Sequence, residues 1–280
     1  GSTHAPRPAF MPAAKTGAYT VPDGVDAIPY GSFRNSSLTK VVIPASVASI
    51  ESEAFFGSKN LTTVVFSLPA AGEKVNSLTI GDRAFANCNE LASIQLPARL
   101  SSVSLGKYTV SAGAVSTTDV SDAFLGCSAL IDIEVAKNNK EYASANGAIL
   151  SDGGTTLCYF PSALLQENFV IPDGVTKIAA GAFAGCERLS GSLTLPGRIA
   201  DIGEYAFYGA NELKSMTFEE GALNTVSIGK YAFAESGVTS LTFAENSRVK
   251  TIGEGAFENV AITELTVPAS VTVIENRAFA

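Results

Sequence analysis

The sequence predicts an α/β repeat protein, a solenoid whose coils stack short parallel strands. Two observations predict it. The phrase TIGEGAF (251–257) returns as DIGEYAF (201–207) and SIGKYAF (227–233), and its phenylalanine recurs at Phe33, Phe55, Phe85, Phe124, Phe183, Phe207, Phe233, Phe257 and Phe279. The intervals between these rings vary, but the inserted residues all fall at one place in the unit, as they do where coils of constant core are stacked.

The core of the unit reads consistently. Eight of the nine phenylalanines follow alanine, Ser32 being the exception. An isoleucine stands five residues before the ring at Ile28, Ile50, Ile80, Ile178, Ile202, Ile228, Ile252 and Ile274, whereas the fourth unit offers Val120 one residue late. After the ring come alternating apolar segments: LASIQL (91–96), LIDIEV (130–135), LKSMTF (213–218), VTSLTF (238–243) and ITELTV (262–267). Alternation with β-branched and aromatic residues predicts a short strand with one face inward.

The ring-to-ring intervals are 22, 30, 39, 59, 24, 26, 24 and 22 residues. From isoleucine to strand end the distance is nearly fixed, 16 residues for Ile50–Phe66 and Ile80–Leu96 and 15 for Ile252–Val267. From strand end to the next isoleucine it ranges from 7 (Ile43–Ile50) to 43 (Val135–Ile178). A unit this short cannot bury its own apolar residues, so the rings must pack against neighbouring coils. Ala before Phe lets the next coil approach, and Gly203, Gly229 and Gly253 are read as relieving the backbone where it turns.

The units "LTVPASVTVIENRAF" (265–279) and "VVIPASVASIESEAF" (41–55) resemble the BspA-like class of bacterial leucine-rich repeats across residues 19–280. The resemblance implies a right-handed leucine-rich-repeat solenoid of about nine units, the last incomplete, with a parallel β-sheet. It also implies short helical or 3-10 turns at the AF segments and a β-hairpin insertion near 147–160. Asp-Gly in SDGGTT (151–156), between GAIL and TLCYF, reads as the turn of that hairpin. TVPDGVDAIPYGSF (20–33) echoes VIPDGVTKIAAGAF (170–183), so order is expected from about Tyr19, after a Pro/Ala-rich tail or linker over 1–18. That leader has no continuous apolar h-region, so a secreted form is expected to have had its signal peptide removed or left out.

Composition narrows the function. A net charge of −8 with no Lys/Arg stripe argues against nucleic acid as partner, and no apolar run is long enough for a transmembrane helix. Neither a phosphate-binding glycine loop nor C-x-x-C occurs, and His4 in the leader is the sole histidine. Zinc sites of the usual type and histidine-dependent nucleophilic catalysis are therefore not expected, nor is a cofactor or an enzyme. Cys88, Cys127 and Cys186 each lie three residues after a ring, where Ser36, Ser58, Ala210 and Ser236 stand elsewhere. The position calls for a small buried side chain, although a Cys88–Cys127 disulfide between adjacent coils is geometrically conceivable. Cys158 has no evident partner.

The strand face turned away from the core carries Val42, Val65, Gln95, Glu134, Thr194, Thr217, Thr242 and Thr266. Threonine is a good exposed strand residue in any protein, but a stacked row of hydroxyls is also a docking surface of the kind solenoids use. Tyr205 and Tyr231 share a register and are expected to stack, either exposed beside that face or packed on the next corner. The first functional expectation is a non-catalytic, secreted or cell-surface recognition module for a host or bacterial surface protein or glycan, which the resemblance also implies. A structural spacer is the second, because the chain stops before the strand due after Phe279. A glycan hydrolase using two carboxylates is the third.

Overall fold

The computed structural model describes residues 16–69, 71–72, 75–106, 109–111, 114–116, 121–221 and 225–280. The leader through residue 15, with His4, and Val120 lie outside the described residues. The chain divides into two compact units, Gly1–Ala143 and Ser144–Ala280.

In the first unit, Thr16–Thr20, Ser37–Ile43 and Thr63–Phe66 form one parallel sheet, and Ser93–Leu96 pairs in parallel with Asp132–Val135. Residues 16–18, which the sequence groups with the leader, thus belong to a strand. A second parallel sheet links Ala27–Ile28, Ser49–Ile50, Leu78–Ile80 and Leu100–Val103. Phe33, Phe55, Phe85 and Phe124 are buried and stacked at centroid distances of 4.9, 5.1 and 6.0 Å. Tyr19 covers the first ring at 5.4 Å.

The second unit repeats the design. Gln166–Glu167, Leu189–Leu195, Leu213–Phe218 and Ser240–Phe243 form one parallel sheet. Thr156–Tyr159, Lys177–Ile178, Asp201–Ile202, Val226–Ile228, Val249–Ile252 and Val273–Ile274 form the other. The hairpin insertion is present, with Ala148–Ser151 antiparallel to Thr156–Tyr159. It hides a ring that the AF pattern passes over. Phe160 stacks on Phe183 at 5.1 Å, and its N–H donates to Ala182 as the other rings donate to the alanine of the next coil. Phe183, Phe207, Phe233, Phe257 and Phe279 continue the ladder at 4.7 to 5.3 Å. The 59-residue interval therefore contains a further coil, in which Tyr159 occupies the place of alanine. Each unit is a solenoid of parallel strands with the right-handed sense usual for such connections.

Three expectations need correction. The AF segments are chains of turns, and among the described residues the one 3-10 element is Asp152–Gly154 in the hairpin. The cause is backbone geometry. Residues two before and two after the ring take left-handed φ: Glu53 and Gly57, Arg83 and Asn87, Gly181 and Gly185, Tyr205 and Gly209, Tyr231 and Glu235, Gly255 and Asn259. A left-handed residue at every fourth position is incompatible with a right-handed helix. It also sends alternate N–H groups sideways. Ala54, Phe56 and Ser58 donate three residues back, whereas Glu53, Phe55 and Gly57 donate to Asp82, Ala84 and Ala86 of the next coil. The corner is thereby stitched to its neighbour as a sheet is, its N–H groups alternating between local and inter-coil carbonyls.

Gly203, Gly229 and Gly253 do not adopt positive φ, so conformational relief is not their role. They admit the neighbouring backbone: a Cβ on Gly203 would lie 2.4 Å from Ala180 N, and one on Gly229 2.6 Å from Ile202 O. The third correction concerns ITELTV. Residues 262–267 form no ladder, and all of their side chains are exposed or half-buried.

Arginine provides a further tie between coils. Arg99 in LPARL donates to the carbonyls of Pro44 (3.1 Å), Asn76 (3.4 Å) and Val47, and Arg198 in LPGRI donates to Val175, Ile171 and Pro172 at 3.0 to 3.2 Å. Burial holds the Arg99 guanidinium below its ordinary pKa, and the three carbonyls offset that desolvation.

Candidate functional site

Alternation along the leucine strands turns one row of side chains into the core and the next outward. In the second unit Thr194, Thr217 and Thr242 are direct register partners, Thr194 and Thr242 exposed and Thr217 half-buried. Two residues earlier, Ser192, Ser215 and Ser240 form a second register-matched row on the same face. The serine row escaped the sequence reading, although S-L-T-L, S-M-T-F and S-L-T-F carry it plainly. Thr266 is exposed but stands in the unpaired segment, so the row has three members, not four. In the first unit Val42 and Val65 are register partners, as are Gln95 and Glu134, whose side chains meet with Gln95 Nε2 donating to Glu134 Oε2 at 3.2 Å.

Tyr205 and Tyr231 stack at 5.5 Å with an interplanar angle of 11°. They sit on the turn before the ring rather than on the leucine strand, and Tyr205 is only 4% exposed. Their backbones are left-handed, φ 56° and 51°, at a register that Gly31, Gly181 and Gly255 fill elsewhere. Tyr208 meets Tyr205 edge-on at 6.1 Å. Burial, with Glu204 next in weight, pushes the Tyr205 phenol up to about 12. Burial and then Glu235 and Glu258 raise that of Tyr208. Beside them Lys230 Nζ is 2.6 Å from Glu254, a pairing that raises the amine and lowers the carboxyl, and it lies 5.4 Å from the Tyr231 ring centre.

The equivalent corner of the first unit is built from opposite charges on one aromatic. Arg34 and Arg83 lie over Phe56 at 4.3 and 4.9 Å, and Glu53 pairs with both and accepts from Tyr30 at 3.1 Å.

All four cysteines are free thiols. Cys88, Cys127 and Cys186 donate to the carbonyls of Phe55, Phe85 and Phe160 at 3.3, 3.1 and 3.6 Å, as Ser58 donates to Phe33. The position therefore selects a small donor. Cys158 donates to Ile149 in the hairpin. No group of three or more His, Cys, Asp or Glu side chains is placed to hold a metal among the described residues, and no helix there is long and apolar enough to cross a membrane.

Residues 4–109, 74–146 and 158–280 match the model of the BspA type leucine rich repeat region, with six copies. The chain belongs to this family. Among solved structures, the BspA-type chain is similar to the pneumococcal vaccine antigen PcpA, at 20% identity and a TM-score of 0.55, over 93% of this chain and 74% of the other. It is similar also to a leucine rich cell surface protein from Faecalibacterium prausnitzii, at 18% identity and a TM-score of 0.50, over 94% and 70% of the two chains. No curated protein matches it.

Proposed function

We propose that this BspA-type chain is a non-catalytic recognition module, secreted or held at the cell surface, which binds a protein or glycan through the outward face of its leucine strands. The observation that carries the reading is the in-register hydroxyl grid of Ser192, Ser215, Ser240, Thr194, Thr217 and Thr242. Such a grid offers donors and acceptors at the spacing of parallel strands, about 4.8 Å, without a charge to desolvate. Hydroxyls and amides of a sugar or an extended peptide are matched partners for it. Family membership, the description of the Faecalibacterium prausnitzii neighbour as a cell surface protein and that of PcpA as a vaccine antigen support the location.

An array of host matrix proteins and glycans, probed with the purified chain, tests the reading. For a captured ligand, Thr217→Lys with Thr242→Lys is expected to weaken binding at least ten-fold while the urea midpoint stays within error. Unchanged affinity of that folded double variant would remove this face from the binding reaction.

A further inference from the structure

The two corner clusters suggest a second surface, independent of the strand face. In the first unit the aromatic residue following the ladder ring, Phe56, is covered by Arg34, the residue at the same place in the preceding coil. In the second unit the same place holds Tyr208, and the coils on either side carry Ala184 and Ala234 there, so no guanidinium is supplied from either equivalent position. Glu235 and Glu258 are close enough to raise the Tyr208 phenol. Oε2 of Glu258 is screened from solvent without a hydrogen-bond partner, its other oxygen pairing with Arg277. The aromatic and the carboxylates are thus present, and among the described residues Arg277 pairs with Glu258 while no guanidinium stacks on the Tyr208 ring.

Charge points the same way. Residues 144–280 hold fifteen Asp/Glu against eight Lys/Arg, a balance of −7, whereas 1–143 holds twelve against eleven. Nearly all of the net negative charge therefore belongs to the second unit, whose field favours approach of a cation.

We propose that the Tyr208 corner receives an arginine side chain from a basic segment of a partner polypeptide. The guanidinium stacks over the Tyr208 ring as that of Arg34 stacks over Phe56, with Glu235 and Glu258 as counter-charges in the role that Glu53 has in the first unit. Arginine suits the place better than lysine because its planar group stacks on a ring and pairs with a carboxylate at once.

Fluorescence anisotropy of labelled hexa-arginine with the full chain at about 150 mM salt tests this, near-physiological salt suppressing long-range attraction. Hexa-arginine is expected to bind and hexa-citrulline, its neutral isostere, is not. Tyr208→Ala should weaken binding about three- to five-fold, and Tyr208→Phe should retain it. Glu235→Gln with Glu258→Gln should weaken it more than Glu219→Gln with Glu220→Gln, which removes the same charge elsewhere. Ala184→Arg supplies the cation within the chain and should abolish binding. Equal losses in the two glutamine pairs, or full binding by Tyr208→Ala, would reduce the attraction to net charge and overturn the proposal.

Discussion

The ring of Tyr231 occupies the space that a side chain at Gly255 would need: a Cβ on that glycine would overlap Tyr231 Cε1. The glycine also has φ +58°, at the register where the two preceding coils place Tyr205 and Tyr231 themselves. The tyrosine stack ends there, on a residue without a side chain. Gly255→Ala combines a clash with left-handed strain and is expected to cost about 2–3 kcal/mol in urea unfolding. In a Tyr231→Ala background the same change should cost about 1 kcal/mol, mostly the strain, since the remaining close neighbour is the flexible end of Glu258.

The phenylalanine ladder predicts a graded series. Phe207 is fully buried between Phe183 and Phe233, at 4.7 and 4.9 Å, so Phe207→Ala should destabilise by about 3–5 kcal/mol. Phe279 has a ring on one side only and is 37% exposed, so Phe279→Ala should cost less than half as much. Equal losses at the two positions would show that stacking between coils does not set the stability.

Arg99 offers a test of the ties between coils. Arg99→Met keeps the stem but withdraws the guanidinium from three carbonyls, of which that of Pro44 keeps the Val47 N–H, and about 2–3 kcal/mol of stability should disappear. Arg198→Met is expected to behave alike, since its three bonds repeat the pattern.

The buried thiols make stability fall in alkali. Burial pushes Cys88 up to about 12, and Cys127, with Cys88 as its neighbour, well above its ordinary value. A folded-state pKa above the unfolded one of about 9 means that the unfolded chain releases its proton first as pH rises. The contribution is whole below pH 9 and is lost progressively up to about 12. Replacing both with serine, which Ser36 and Ser58 show to fit the register, should flatten the decline of the urea midpoint between pH 9 and 11. An unchanged slope would assign the decline to other groups.

Reaction with a thiol reagent at pH 8 gives a separate check on the same groups. With Cys88, Cys127 and Cys186 buried and hydrogen-bonded, modification of these three in the native chain, followed with the half-buried Cys158 replaced by serine, should be slower than in the urea-unfolded chain by about a hundred-fold.

The repeat, its rings, its parallel strands and the hairpin were legible because each is written by local periodicity, and stacking gives every copy the same environment. Phe160 was not, because Tyr159 stands where the pattern requires alanine. The left-handed residues flanking each ring were written as Gly and Asn at Gly57, Asn87, Gly185 and Asn259, but Glu, Arg and Tyr at the same register obscured them. The hydroxyl rows could be listed from sequence, yet their alignment depended on which strands pair and in what register. That Tyr205 is buried, that Gly203 faces the Ala179–Ala180 backbone and that no guanidinium covers Tyr208 as Arg34 covers Phe56 were decided only by the tertiary structure. Each is a relation between coils 22 or more residues apart, and local sequence carries no term for it. A single unit specifies its own strand and corner through backbone preference and apolar spacing. What lies on top of it is set by the next coil, and there the surface chemistry of this chain is made.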